Sequence, residues 1–260
     1  MKNIVLPDGP NVLTDTKYGP MIYNKYDTYV GKSIEKYGEY SDFEITLLSQ
    51  LIPKGGLVVE VGANIGAHTI PIAKIVGSSG LVIAFEPQRA LHAIICANAV
   101  LNQLFNILAI RRAVGNKGGI IIVPNIDYSA QNNFGSLSLG QWESGEQVEL
   151  QTLDMLGLPV CHLIKIDAEG MEKEVLEGAV NTIMKTRPVL YVENDRRDKQ
   201  SELISYIKSL GYRLFLHLPY MYNSLNYRND TENVFGDTVS INMLCIPAEA
   251  DAYIAELEEL

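Results

Sequence analysis

The sequence predicts an α/β fold, a doubly wound and mostly parallel sheet, on three observations. From Gly55 onward, short β-branched runs alternate with longer stretches of helical period, as strands joined by crossover helices require. Runs such as LVVEV at 57–61 and LVIAF at 81–85 are apolar at almost every position, which suits strands covered on both faces. The first of these runs leads into Glu60-Val61-Gly62-Ala63-Asn64-Ile65-Gly66, a strand end, a glycine turn and a helix start, which is where an open α/β sheet binds its ligand.

The elements follow in order. Strands are expected at Leu57–Val61, Leu81–Phe85, Ile107–Arg111, Leu163–Asp167, Val189–Glu193 and Arg213–Leu218. Helices are expected at Gly66–Val76, Gln88–Leu101, Met171–Met184 and Lys199–Leu210, each bounded by Gly, Pro or Asn. A final strand, Thr238–Ile246, follows a polar loop too long for a tight hairpin, and the closing pair is expected to be antiparallel. Residues 1–50 are rich in Tyr and polar residues and read as a cap or lid, with a helix Asp42–Leu51 begun by Ser41-Asp42. Residues 112–155 insert strands at Ile120–Val123 and Val148–Leu153 around an Asn/Gly/Ser-rich loop, Asn125–Gly145, that can reach over the sheet. The organisation predicted is thus a cap at 1–50, a main domain at 51–249 and an acidic tail at 250–260, the tail a candidate helix.

With 260 residues, 47% apolar, and 21 basic against 31 acidic side chains, the chain is that of an ordinary globular protein carrying a net charge of −10. That charge argues against a nucleic-acid partner, because phosphate backbones are held largely by Lys and Arg. No apolar run reaches the roughly 18 residues a bilayer span needs, and the start carries no secretion-type apolar segment. Cys96, Cys161 and Cys245 are an odd count without a CxxC pair, so they read as reduced core thiols of a cytoplasmic protein.

The glycine turn limits the ligand. A dinucleotide fingerprint has glycine at its middle position so that the backbone can approach a pyrophosphate, but here that position is Asn64. A nicotinamide-dependent dehydrogenase is weakened accordingly. Gly62 and Gly66, preceded by Glu60, suit a phosphate-free ligand with a positive end, such as S-adenosylmethionine. Glu86, which ends the second strand 24 residues after Gly62, is placed to accept hydrogen bonds from both ribose hydroxyls, and Ala113-Val114-Gly115 after the third strand can lie against an adenine.

These residues resemble the FkbM family of S-adenosylmethionine-dependent methyltransferases: EVGANIGAHT, AFEP, the Asn98/Asn102 pair in CANAVLNQL, AVGN, LQTLD, IKIDAEGMEKEVLEGA and RPVLYVEN. The match covers about Tyr23–Ile246, and Ile164–Ala179 is its most specific block. The resemblance implies a seven-stranded, Rossmann-like class I methyltransferase sheet with an antiparallel last strand, and O-methylation of a hydroxyl on a small molecule such as a sugar or polyketide. The acceptor itself is not implied, nor is an oligomeric state.

The strand ends carry the candidate chemistry. Asp167 ends the fourth strand, Glu169 follows two residues on, and Glu193-Asn194 end the fifth, so carboxylates crowd one edge and repel one another unless relieved. Three readings stay open: a Mg²⁺ site at Asp167, Glu193 and Asn194, similar to the ligand set of catechol-type methyltransferases; a metal-free general base drawn from Asp167, Glu169 and Glu193; or a structural cluster in which Glu169 pairs with Lys165 or Lys173. His68 and His217 are weaker base candidates. The loop Asn132–Ser136 and the tyrosines at 18, 23, 26 and 29 are candidates for an acceptor pocket, with cap packing as the competing reading, and Tyr220, Tyr222 and Tyr227 share that ambiguity. Asp167-Ala168-Glu169-Gly170 lacks the Pro-Pro-aromatic motif of base methylases, although an N-methyltransferase of a small amine, or a cofactor-binding protein without turnover, remains an alternative.

Overall fold

The computed structural model describes residues 4–5, 9–252, 254–255 and 257–260. Its centre is an eight-stranded sheet. In chain order the strands are β4 (Leu57–Val61), β5 (Leu81–Phe85), β6 (Ile107–Ile110), β10 (Leu163–Ile166), β11 (Val189–Glu193), β12 (Tyr212–His217), β13 (Asn242–Pro247) and β14 (Glu258–Glu259). They lie side by side as β14-β12-β13-β11-β10-β4-β5-β6. From β6 to β11 neighbours are parallel, and β13 runs antiparallel between β11 and β12. Six of the expected strands reappear within a residue or so, and the closing antiparallel pair is as expected. The eighth strand is the difference: the tail puts Glu258–Glu259 on the edge of β12, with Arg213 bonded to the Glu259 carboxylate, instead of a helix. Tyr253 and Glu256 of that tail lie outside the described residues.

Helices cover both faces, as the apolar strands require. Val59, Val61, Ile83, Ile164, Ile166, Leu190 and Val192 pack on one side against α5 (Glu172–Glu177), α6 (Val180–Thr186) and α7 (Gln200–Ser209). Val58, Val82, Leu163, Tyr191 and Leu244 pack on the other against α2 (Asp42–Leu51) and α3 (Thr69–Val76). The single helix expected over Met171–Met184 is broken at Gly178, where a Cβ would stand 2.0 Å from the Gly115 carbonyl oxygen. The second half is restarted by Asp154 of the LQTLD motif, whose carboxylate accepts from the backbone N–H groups of Asn181 and Thr182 at 2.9 and 2.8 Å.

The first 50 residues add a small antiparallel sheet, β1 (Ile4–Val5), β2 (Asn11–Thr16) and β3 (Gly19–Asn24), and α1 (Val30–Tyr37). Val12, Met21, Tyr23 and Ile34 pack on Leu91 and Ile94 of α4 (Arg89–Leu101). Asn98 fastens this layer: its Oδ1 accepts from Ile22 N at 2.6 Å, and its Nδ2 donates to the carbonyls of Ile22 and Ile65. Ser41 does not cap α2 through its side chain; its hydroxyl donates to Glu44 instead. The insertion forms a second small sheet, β7 (Ala113–Val114), β9 (Glu146–Gln151) and β8 (Gly119–Val123), and its loop joins the cap, with Thr28 N donating to Asn132 O. Among the cysteines only Cys161 and Cys245 are core thiols; Cys96 is exposed. No helix among the described residues is long and apolar enough to cross a membrane.

Candidate active site

At the carboxyl ends of β4, β5, β10 and β11 the cap, the insertion loop and the loop after β12 enclose a cleft of about 420 Å³. Gly62 turns the chain out of β4 with φ +83°, and a Cβ there would meet the Asp167 carbonyl oxygen at 1.8 Å, so only glycine allows β4 and β10 to approach so closely. Asn64, at φ +51°, is the next residue in the left-handed region. Gly66, at φ +82°, faces Ile95 and Thr69 and shapes the entry to α3 rather than the cleft wall.

Glu86 is buried beside this turn. Its two oxygens accept from the backbone N–H groups of Asn64 and Gln88, both at 2.9 Å, which leaves one lone pair on each for a ligand. Burial pushes its pKa up to about 8 against those two hydrogen bonds. A narrow side chamber continues past Glu86 between Ala113, Val114, Leu137 and Met171. Apolar walls thus adjoin a carboxylate that keeps one free lone pair on each oxygen.

Glu60 lies deeper than the sequence suggests. Its carboxylate accepts from Thr69 Oγ1 at 2.6 Å, and in register beside it on β10 stands Lys165, the lone charge inside the LIKI strand. Burial raises the Glu60 pKa to about 7. Burial would pull Lys165 down, but the carboxylates of Asp167, Glu44, Glu60 and Glu193 together outweigh it and keep the ammonium charged. Lys165 Nζ sits 3.6 Å from Asp167, so a buried cation sits beneath the acidic rim.

On that rim Asp167, Glu169 and Glu193 bring one carboxylate oxygen each within 4.8 Å of one another. Glu172 positions the first two: its Oε1 accepts from Ala168 N and Gly170 N, clamping the loop in which Glu169 adopts φ +53°. Glu169 pairs with Arg196 at 2.5 Å, whereas Lys173 pairs with Glu202 and Glu177 on the surface. Burial, with Asp167 close by, raises Glu169 to about 8 and Glu193 further still. The Oε2 of Glu193 is buried without a hydrogen-bond partner among the described residues. Asn194 stands apart from this group: its amide is buried and points at Met243 Sδ.

Other candidates separate cleanly. His68 is buried at the cleft wall with no partner for Nε2 among the described residues, its Nδ1 3.8 Å from Glu44, and burial lowers its pKa to about 3, so the ring is neutral. His217 bonds Tyr191 OH. Of the tyrosines at 18, 23, 26 and 29 only Tyr29 lines the cleft, joined by Tyr40; Tyr23 is cap core and Tyr18 bonds Asp42. Asn133, Gly135 and Ser136 of the insertion loop also line it, Gly135 closing on the Asn64 amide.

The sequence matches the Methyltransferase FkbM domain over residues 60–214, more than half of the chain. The chain belongs to the FkbM methyltransferase family. Among solved structures, an FkbM methyltransferase from Methylobacillus flagellatus KT is similar at 16% identity over 74% of this chain and 44% of that one, with a TM-score of 0.50. This FkbM-family chain therefore spans less than half the length of that protein. Precorrin-6y C5,15-methyltransferase from Geobacter metallireducens GS-15 is similar at 10% identity over 78% and 85%, with a TM-score of 0.51. Trm5b from Pyrococcus abyssi is similar at 12% identity over 94% and 62%, with a TM-score of 0.50. No curated protein matches. The fold is that of the class I, Rossmann-like methyltransferases.

Proposed function

We propose that this FkbM-family protein is an S-adenosylmethionine-dependent O-methyltransferase acting on a hydroxyl of a small, unphosphorylated acceptor. The observation that carries this reading is the position of Asp167, Glu169 and Glu193, clustered at the ends of β10 and β11 and open to the same cleft as Glu86 and the glycine turn. Glu86 holds the ribose, Ala113 and Val114 flank the adenine, and Glu60, Gly62 and Asn64 surround the amino-acid end, Gly66 shaping the turn behind them. Bound there, S-adenosylmethionine supplies an electrophilic methyl group, whose transfer forms a C–O bond and breaks a C–S bond.

The chain's own part is alignment and removal of one proton. A hydroxyl titrates far above neutral pH, so a carboxylate must take its proton as the new bond forms. Burial makes Glu169 and Glu193 strong bases that hold that proton firmly once they are ionised, which for Glu169 requires a pH near or above about 8, while Lys165 and Arg196 limit the charge that builds up. The crowded carboxylates also repel a phosphate chain, which supports a small acceptor over a nucleic acid.

A second reading, a Mg²⁺ ion held by Asp167, Glu169 and Glu193, is favoured by the unpartnered Glu193 oxygen. One set of measurements tests both. Calorimetry should show S-adenosylmethionine binding equally to wild type, Asp167→Asn, Glu169→Gln and Glu193→Gln, while turnover falls in the variants. Failure of wild type to bind sinks the methyltransferase reading, and loss of turnover in EDTA, restored by Mg²⁺, selects the metal over the simple base.

A further inference from the structure

A second cavity adjoins the cleft. Tyr29 and Thr238 line both, and the second, of about 370 Å³, lies on the outer side of the first, walled by the cap and by the loop after β12. Each chamber alone is as large as an ordinary small-molecule site, which runs from about 300 to 1,000 Å³. The two carry opposite chemistry. The inner one holds the carboxylates of Asp167, Glu169 and Glu193; the outer one holds aromatic rings, an amide and ammonium groups.

In the outer chamber Tyr29 and Phe235 present tilted rings with centroids 5.9 Å apart, and Tyr29 is 38% exposed. Such rings match the C–H face of a pyranose, whose weakly positive hydrogens meet the negative face of the π system. Gln131 and Thr238 offer donors and acceptors for ring hydroxyls. Lys25 stands over the ring of Tyr26 at 5.2 Å and has no carboxylate partner among the described residues, whereas Lys32 is paired with Glu35. Asp27 also borders the chamber, but its carboxylate is buried and accepts from the backbone N–H of Tyr29. An ammonium group of this kind beside aromatic faces suits a single negative charge; a phosphate dianion is more often met by guanidinium forks or several backbone donors.

Resting on the methyltransferase reading above, we infer that the outer chamber is a second acceptor subsite and that the methyl acceptor is a saccharide of at least two rings. The ring in the outer chamber carries a carboxylate held by Lys25. The ring in the inner cleft presents the hydroxyl that is methylated, which places the two ends of the acceptor against opposite charges and fixes its direction.

The test is saturation-transfer-difference NMR on the whole protein. The probes are disaccharides ending in glucuronate or galacturonate, their neutral parent disaccharides, and the component monosaccharides. Saturation should appear on both rings of a uronate disaccharide, with tighter binding than to its neutral parent. Lys25→Ala should weaken that binding about tenfold, the scale of one charge-assisted contact, and abolish the preference over the neutral parent. Phe235→Ala should lose saturation of the outer ring alone. Lys25 is exposed and Phe235 part-exposed at the rim, so neither change threatens folding. Equal binding of neutral and uronate disaccharides, saturation confined to one ring, or no binding of either uronate disaccharide overturns the proposal. The saccharide titration requires no cofactor: a protein that bound the uronate probe but not S-adenosylmethionine would keep the subsite and sink the methyltransferase reading.

Discussion

At Glu86, burial and the proposed ribose contact would pull the carboxyl group in opposite directions. Held by only two backbone N–H groups, it is pushed up to about 8 and carries a proton at neutral pH. Two ribose hydroxyls donating to it would favour the ionised form, so binding should release a proton. Affinity for S-adenosylmethionine should therefore rise with pH up to about 8 and level off above it, and the binding heat should vary with the ionisation enthalpy of the buffer. Glu86→Ala should lose about 1.5–3 kcal/mol, the range for hydrogen bonds to a charged group. Calorimetry in two buffers checks both; a pH-independent affinity with no proton release would remove Glu86 from the ribose. Its place at the strand end beside the cleft was legible because Pro87 follows it directly. Lys165 was not, since a single Lys in an apolar strand gives no sign that four carboxylates surround it. Asn194 shows the reverse: the residue after a strand-end acid faces the other way, because successive side chains alternate.

At the scale of elements, every main-sheet strand from β4 to β13 could be read because its run is mostly apolar, with single interior charges at Glu60, Lys165 and Arg213, although β13 begins at Asn242 and not at Thr238. The cap could not. In β2 the buried alternate positions are Val12, Thr14 and Thr16, so the apolar alternation fades into threonines satisfied by hydrogen bonds. α1 buries Gly31 and Ser33, and a Cβ on Gly31 would lie 2.3 Å from the Asn24 carbonyl oxygen, so close packing selected poor helix formers. The motif asparagines turn out to belong to this layer. Asn98→Ala would strip the Ile22 N–H of its partner and leave two buried carbonyls short of a donor, at a cost of about 2–4 kcal/mol. Urea unfolding should show a matching drop in midpoint at unchanged slope. A drop in slope as well would mean that the cap detaches separately from the sheet.

For the whole molecule, the buried acids make stability a function of pH. Glu60, Glu86 and Glu169 are raised from 4.5 to about 7, 8 and 8, and Glu193 is raised as well. A carboxyl group whose folded pKa lies above its unfolded value contributes stability that is complete below the unfolded pKa and lost as pH rises through the folded one. His68, lowered from 6.5 to about 3, works in the other window: its contribution is present above 6.5 and lost as pH falls toward 3. Four acids outnumber one imidazole on the alkaline side, so the ligand-free protein should melt at a lower temperature at pH 9 than at pH 6, falling most steeply between pH 6 and 7 and levelling as Glu60, Glu86 and Glu169 ionise near pH 7–8. Glu169→Gln removes one of these titrations, and since a tenfold change in proton affinity corresponds to about 1.4 kcal/mol, its melting temperature should fall less over the same interval. Added S-adenosylmethionine should flatten the curve further, because a ligand that favours ionised Glu86 stabilises most where that group has lost its proton. A wild-type melting temperature that is level from pH 6 to 9 would show that the acids are already ionised in the folded protein, with Lys165 and Arg196 neutralising them completely.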